Sequence, residues 1–204
     1  VAGLRGDLVG SAAAGADDPS LGGKSVAAQF EKFYGPDAAE IDRLEAAGAA
    51  SAQVEWRPLA GVVGHLGVGY VVRPAGVTER YFAFGPAPGG YQVGNPSLSA
   101  ERRLLAEVGL AFRRPWLRAR AAAHYSHVAD FILPGVVARM DVNGDGVQDS
   151  VRGFSNTTAQ LAGFELAARP TWRFLSLPVA LSYVRGLNTG DGRDLPEIPP
   201  LQGR

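Results

Sequence analysis

The chain has 204 residues, 46% of them hydrophobic, and Lys plus Arg equal Asp plus Glu at 20 each. That is apolar enough for a core and too balanced in charge to point to a polyanion, so no nucleic-acid partner is expected. It contains no Cys, which excludes disulfide scaffolds, thiolate metal sites and Cys nucleophiles, and no run is long and apolar enough for a helical membrane span.

Gly at 27 and Pro at 14 fit a sheet with many turns better than a helical bundle. No basic and apolar leader follows Val1, so either a targeting segment is absent or the chain is an internal piece of a longer one. Val1 to Val9 reads as a short strand with Leu4 and Leu8 on one face and Arg5 and Asp7 on the other. Residues 11–50 read as a long irregular connection carrying a short helix from Pro36 to Ala47, where Pro sits in the first turn and acidic residues follow.

Ser51 to Arg57 alternates strictly, with Ala52, Val54 and Trp56 against Gln53, Glu55 and Arg57. After the turn at 58–61, Leu66, Val68, Tyr70 and Val72 alternate with His65 and the glycines 67 and 69. Residues 74–98 form a long loop, and the Gly/Pro-rich stretch Ala83 to Glu101, passing through Gly94-Asn95-Pro96, is the one around which the strands are arranged. Leu104, Ala106, Val108, Leu110 and Phe112 then share one face and Arg103, Glu107 and Arg113 the other.

Beyond the turn at 114–115, Leu117, Ala119, Ala121, Ala123 and Tyr125 alternate with Arg118, Arg120, His124 and Ser126. Residues 132–153 read as another long loop. Ala162, Phe164, Leu166 and Ala168 are expected outward, with Gly163, Glu165 and Arg169 inward. A last strand follows Pro170 with Leu175, Leu177, Val179, Leu181 and Tyr183 on one face, and 187–200 is a Gly/Asp/Pro loop. Short connections at 58–61, 114–115 and 169–171 thus alternate with long ones at 11–50, 74–98, 132–153 and 187–200. The pattern predicts an all-β fold: an antiparallel up-and-down meander, part of a transmembrane β-barrel with long external loops. Seven strands do not close a bacterial barrel, where the number is even, so the chain is expected to be a fragment.

Four groups of residues carry candidate chemistry. Arg80, Tyr81, Phe82, Phe84 and Tyr91 put aromatic rings and a cation on a glycine-rich loop, either to grasp a ligand or to pack on one another. Asp141, Asn143, Asp145 and Asp149 have the oxygen spacing of a calcium loop, with Gly144 and Gly146 permitting the path; Arg152 stands where the bidentate Glu belongs, and a solvated Asx-rich turn is the other reading. His124 and His127 sit three apart on a strand and face opposite ways, so they cannot share a metal without a bulge. Glu107, Glu165 and Asp130 are expected inward, linked across strands to Arg103, Arg118, Arg120 and Arg169. Trp56, Trp116, Trp172 and Tyr125 read as interface anchors. No motif of hydrolases, zinc proteases or nucleotide-binding loops is present, and no enzyme is expected.

The sequence resembles the C-terminal part of the β-barrel of TonB-dependent outer-membrane receptors. The resemblance is carried by Arg73-Pro74 with Thr78-Glu79-Arg80-Tyr81, Gly94-Asn95-Pro96-Ser97-Leu98 with Glu101 and Glu107-Val108-Gly109, and Asp130-Phe131-Ile132. Phe154-Ser155-Asn156 before Gly163-Phe164-Glu165, and Tyr183-Val184-Arg185-Gly186 before Leu195-Pro196-Glu197-Ile198-Pro199-Pro200, complete it. It implies a bacterial outer-membrane location and import of a scarce nutrient (ferric siderophore, metal complex, cobalamin or similar) with TonB-supplied energy. It implies as partners the outer-membrane lipid, a plug domain and further strands of a longer chain, TonB, and the cargo, with no cofactor required beyond the calcium reading of 141–149. A soluble all-β binding module and a passive porin-like pore are the alternatives. The first predicts that the faces of Leu104, Val108 and Phe112 and of Leu177 and Leu181 meet in a closed core.

Overall fold

The computed structural model describes residues 1–14, 16–17, 25–88, 90–196, 198–199 and 201–203. Part of the expected 11–50 loop (18–24), and Glu197 and Pro200 of the last motif, lie outside the described residues.

The architecture is an open antiparallel sheet in which chain neighbours are sheet neighbours. Its long strands are β1 (Ala2–Ser11), β2 (Arg43–Leu59), β3 (Val62–Arg73), β6 (Glu101–Arg114), β7 (Leu117–Met140), β8 (Asp149–Trp172) and β10 (Val179–Asn188). Smaller elements lie between them: helices α1 (Val26–Tyr34) and α2 (Val77–Tyr81), the hairpin β4 (Gly85–Ala87) and β5 (Gly90–Gln92), and the two-residue strands β9 (Leu175–Ser176), β11 (Arg193–Asp194) and β12 (Gln202–Gly203). β12 pairs with β10.

Register fixes what each face is made of. One row runs Val54, Leu66, Val108, Ala123, Phe164, Tyr183, and another Leu59, Val62, Phe112, Ala119, Ala168, Val179. These rows form the outer face, and Leu66, Val68, Leu104, Val108, Leu110 and Leu166 on it are exposed. The rows that alternate with these are small or polar: Gln53, Gly67, Glu107, His124, Gly163, and Glu55, His65, Gly109, Ala122, Glu165. A period-2 strand cannot mix two such sets, so the sheet has one apolar and one polar side. Leu104 and Leu177 are 56% and 58% exposed and meet no opposing layer; the closed core of a soluble module is absent from the described residues.

Trp116 and Trp172 stand exposed at the short-turn end, and Tyr70 and Tyr125 toward the other. From Leu117 to Tyr125 the strand covers about 27 Å at about 3.4 Å per residue, comparable with the ~25 Å apolar band of a tilted barrel.

Several element limits differ from the sequence expectation. The expected helix over Pro36–Ala47 is a 3-10 turn, Pro36–Ala39, followed by β2 from Arg43. The Ala-rich run after it pairs with β1, Ser11 opposite Arg43 and Gly6 opposite Gly48, so tertiary pairing overrides helix propensity. The helix of this segment is instead α1, capped by Ser25, whose Oγ accepts from Ala28 N at 3.2 Å. The 132–153 stretch is mostly strand: β7 and β8 stay paired out to Met140 and Asp149, absorbing Pro134 and Gly135. Pro170 does not end β8. Thr171 N donates to the Trp116 carbonyl, so the neighbouring Pro nitrogen faces away from β7, and the chain turns at Arg173 and Phe174.

Candidate functional site

Three connections fold inward over the half of the polar face remote from the short turns. The odd residues of β8 lie on that face. Val151, fully buried, packs with Phe30 of α1, Ala38 and Val93, and Tyr34, Phe84, Tyr91 and Val137 border the cluster. A Cβ at Gly153 would run into the Tyr34 hydroxyl, so the missing side chain is what lets α1 sit down on the wall. β5 adds to β8, Tyr91 opposite Val151 and Gln92 opposite Arg152, and Val93 N donates to the Arg152 carbonyl at 2.9 Å. The 74–98 connection therefore leaves β3 and reaches across the mouth to β8 before returning to β6. Lower down, Leu195 and Ile198 pack on Val128, Ala159 and Leu161, in the space that Gly186 leaves open.

The motif residues form the latch that holds these loops. Arg73 donates to both oxygens of Glu79 at 3.0 and 3.2 Å and to Glu101 at 2.8 Å. Glu101 in turn accepts from Ile132 N at 2.7 Å. Arg80 is wholly enclosed and donates to Glu45 Oε2 at 2.5 Å and to the Leu98 carbonyl at 3.0 Å. Tyr81 gives its hydroxyl proton to the Ile41 carbonyl at 2.7 Å. Asn95 Nδ2 reaches the Phe154 carbonyl at 2.9 Å, and Asn156 Nδ2 reaches the carbonyls of Ser99 and Asp130 at 3.1 and 2.7 Å. Gly94 N donates to the Phe82 carbonyl, and any Cβ at Gly94 would strike the Arg80 backbone.

Burial of Glu79 by itself would raise its carboxyl pKa, but the Arg73 fork, the Gly76 amide and the Arg80 charge together hold it below the usual glutamate value. Tyr34 is shifted the other way: burial raises its phenol, against the Phe154 amide that donates to it.

The expected ligand-binding set divides. Arg80, with no exposed surface, and Tyr81, committed to Ile41, are parts of the latch. Phe84 stands between Phe33 and Tyr91 in a stack with centroid spacings of 5.4 and 5.5 Å, and Lys32 lies 5.3 Å from the Phe33 ring. Phe82, Phe84 and Tyr91 keep partial exposure. Phe33 and Lys32 escaped the sequence reading, although Val26, Phe30 and Phe33 behind Ser25 have helical spacing.

In the Asp141–Asp149 loop the oxygens point at the loop itself. Asp141 accepts from the amides of Gly144, Asp145 and Gly146 at 2.6, 3.1 and 2.8 Å, and Asp145 from Val147 at 2.7 Å. Among the described residues no group of three His, Asp or Glu is placed to hold a metal ion. The expected ion pairs on the inner face also differ. Glu107 meets His65 at 2.9 Å, and Arg103 donates to Ser126 at 2.8 Å. Asp130, in the left-handed region at φ 57°, pairs with Arg102 on the outer face, because the β7 bulge after Val128 reverses its direction.

Residues 29–204 match the family model described as TonB-dependent receptor-like, β-barrel. Among solved structures the chain is similar to the copper transporter OprC, at 25% identity and a TM-score of 0.65, covering 79% of this chain and 24% of that one. It is similar to the Serratia marcescens hemophore receptor HasR, solved as a double mutant with its hemophore HasA and heme, at 18% identity and a TM-score of 0.62, covering 92% and 30%. It is also similar to the siderophore receptor PirA from Pseudomonas aeruginosa, at 20% identity and a TM-score of 0.56, covering 71% and 29%. The chain thus spans less than a third of the length of each of these. No curated protein sequence matches it.

Proposed function

This chain belongs to the TonB-dependent receptor β-barrel family, and from that premise we propose that it forms part of the wall and mouth of a receptor in the bacterial outer membrane. The receptor imports a scarce nutrient with energy supplied through TonB. The observation that carries this reading is the division of the sheet into an apolar outer side and a polar inner side, with the loops latched over the inner one. Lipid covers the outer side, and further strands and a plug domain of the full-length chain complete the barrel, since an open edge in lipid costs several kcal/mol per unpaired group in order of magnitude.

The cargo class proposed is a metal ion or metal complex, as for the copper transporter, hemophore receptor and siderophore receptor that the chain resembles; cobalamin fits the same scheme. Ligand contact falls to Phe82, Phe84 and Tyr91, which offer ring area with little ordering cost. Members of the family are transporters, so no reaction is assigned. Calcium at Asp141, Asn143, Asp145 and Asp149 would have to displace the amides that Asp141 accepts; proteolysis of this loop across a calcium titration decides between ion and turn.

The test is uptake by cells expressing the full-length chain, offered radiolabelled copper, ferric siderophores, heme and cobalamin, with and without TonB. TonB-dependent accumulation of one of these is expected. Passive, TonB-independent entry would establish a pore instead.

A further inference from the structure

The inner row nearest the short turns carries Arg113 on β6, Arg118 on β7 and Arg169 on β8, each directly opposite the next. Arg120 stands one inner row further along, flanked by Ala111 and Ala167. At about 4.8 Å between strands and about 3.4 Å per residue, the group covers roughly 10 Å by 7 Å of wall. All four are exposed. Among the described residues the ion pairs engage Arg5, Arg57, Arg73, Arg80, Arg102 and Arg185, and none of these four. Of the carboxylates further up the same face, Glu165 stands one inner row beyond Arg120 and makes no ion pair with any of the four, and Glu107 is turned to His65.

Like charges directly opposite on adjacent strands repel. The repulsion is permanent, so it calls for a counter-charge that is present in the resting state. A cargo molecule passing at intervals supplies that only at intervals. The surroundings argue the same way: Ala111, Ala167 and Ala180 leave a smooth, open wall rather than an enclosed pocket of the kind that desolvates a small ligand. Arginine forks on such a wall suit carboxylates of a protein surface, which they can grip through two hydrogen bonds each.

Resting on the receptor reading above, we propose that Arg113, Arg118, Arg120 and Arg169 seat an acidic face of the plug domain that fills the lumen. They fix it at the end of the barrel opposite the latched loops.

The experiment uses the full-length receptor in detergent, with the triple variant Arg113→Glu, Arg118→Glu, Arg169→Glu and its glutamine counterpart. Barrel folding is read by heat-modifiable migration, and plug seating by the rate of proteinase K cleavage within the plug. Cleavage about tenfold faster in the glutamate variant is expected at low salt, the combined effect of a few exposed ion pairs, with the glutamine variant between it and wild type. Wild-type cleavage should accelerate in molar salt. Should the glutamate variant misfold, the glutamine variant, which removes the positive charges without reversing them, carries the test. Unchanged plug cleavage in a folded barrel overturns the proposal, and unchanged cleavage with lost uptake of an anionic cargo assigns the arginines to the cargo. Absence of TonB-dependent uptake by wild type would fault the receptor reading, while the cleavage ratio would still judge the arginine seat.

Discussion

Among the described residues, Arg80 is the largest side chain enclosed without any exposed surface. Its charge is tolerated there because Glu45 and the Leu98 carbonyl accept hydrogen bonds from its guanidinium. Arg80→Met would strand Glu45, whose side chain is 21% exposed and can turn to water, so the cost should be about 2–3 kcal/mol, less than the ~3–5 of a fully buried broken pair. Hydrogen exchange should quicken over residues 77–98 and stay unchanged in β6 and β7. Glu79 makes the same loop acid-sensitive. Its pKa is lower folded than unfolded, so its contribution is complete above the ordinary glutamate value and lost as pH falls through the depressed one. Proteolysis of the 74–98 loop should therefore rise as the pH is lowered through and below the ordinary glutamate range, and Glu79→Gln should remove that dependence. A Glu79→Gln protein that keeps the acid response would show that another group controls the loop.

The α1 helix sits on the barrel wall through Phe30 and is released if that contact is lost. Phe30 is wholly buried against Val93 and Val151, and Phe30→Ala should cost about 3–5 kcal/mol of docking. Exchange over 26–34 should then approach that of a free peptide, because a nine-residue helix has little stability alone. The strands were legible in the sequence wherever alternation was strict, as at Leu104 to Phe112, since a half-buried strand has no other way to satisfy two environments. Their limits were not. The 132–153 stretch reads as a loop and 169–171 as a turn, yet Pro134, Gly135 and Pro170 each lie where the ladder tolerates them, which only the partner strand decides. The latch was visible as motif words around Gly94 to Leu98 and Asn156, but not as a latch. Its partners Glu45 and Ile41 lie in a segment whose alanines mimic a helix, and contacts between residues this far apart leave no local pattern.

For the whole molecule, the two sides of the sheet should answer to different solvents. Val108 is 47% exposed in the middle of the apolar side, between Leu66 and Ala123. Ala122 lies on the neighbouring inner row, between Gly109 and Glu165. A lysine at Val108 must carry its ammonium into hydrocarbon or drag water toward it, at about 2–4 kcal/mol near the bilayer midplane. A lysine at Ala122 enters a wet lumen beside a carboxylate and should cost under about 1 kcal/mol. The comparison is made on the full-length receptor refolded into lipid vesicles, by the urea midpoint of tryptophan fluorescence. Val108→Lys should lower the midpoint clearly and Ala122→Lys hardly at all. In a water-soluble sheet the order would invert, because an exposed Val108→Lys gains hydration there. Equal loss at both positions would mean that neither side is wet, and the division of faces on which the transport reading stands would have to be given up.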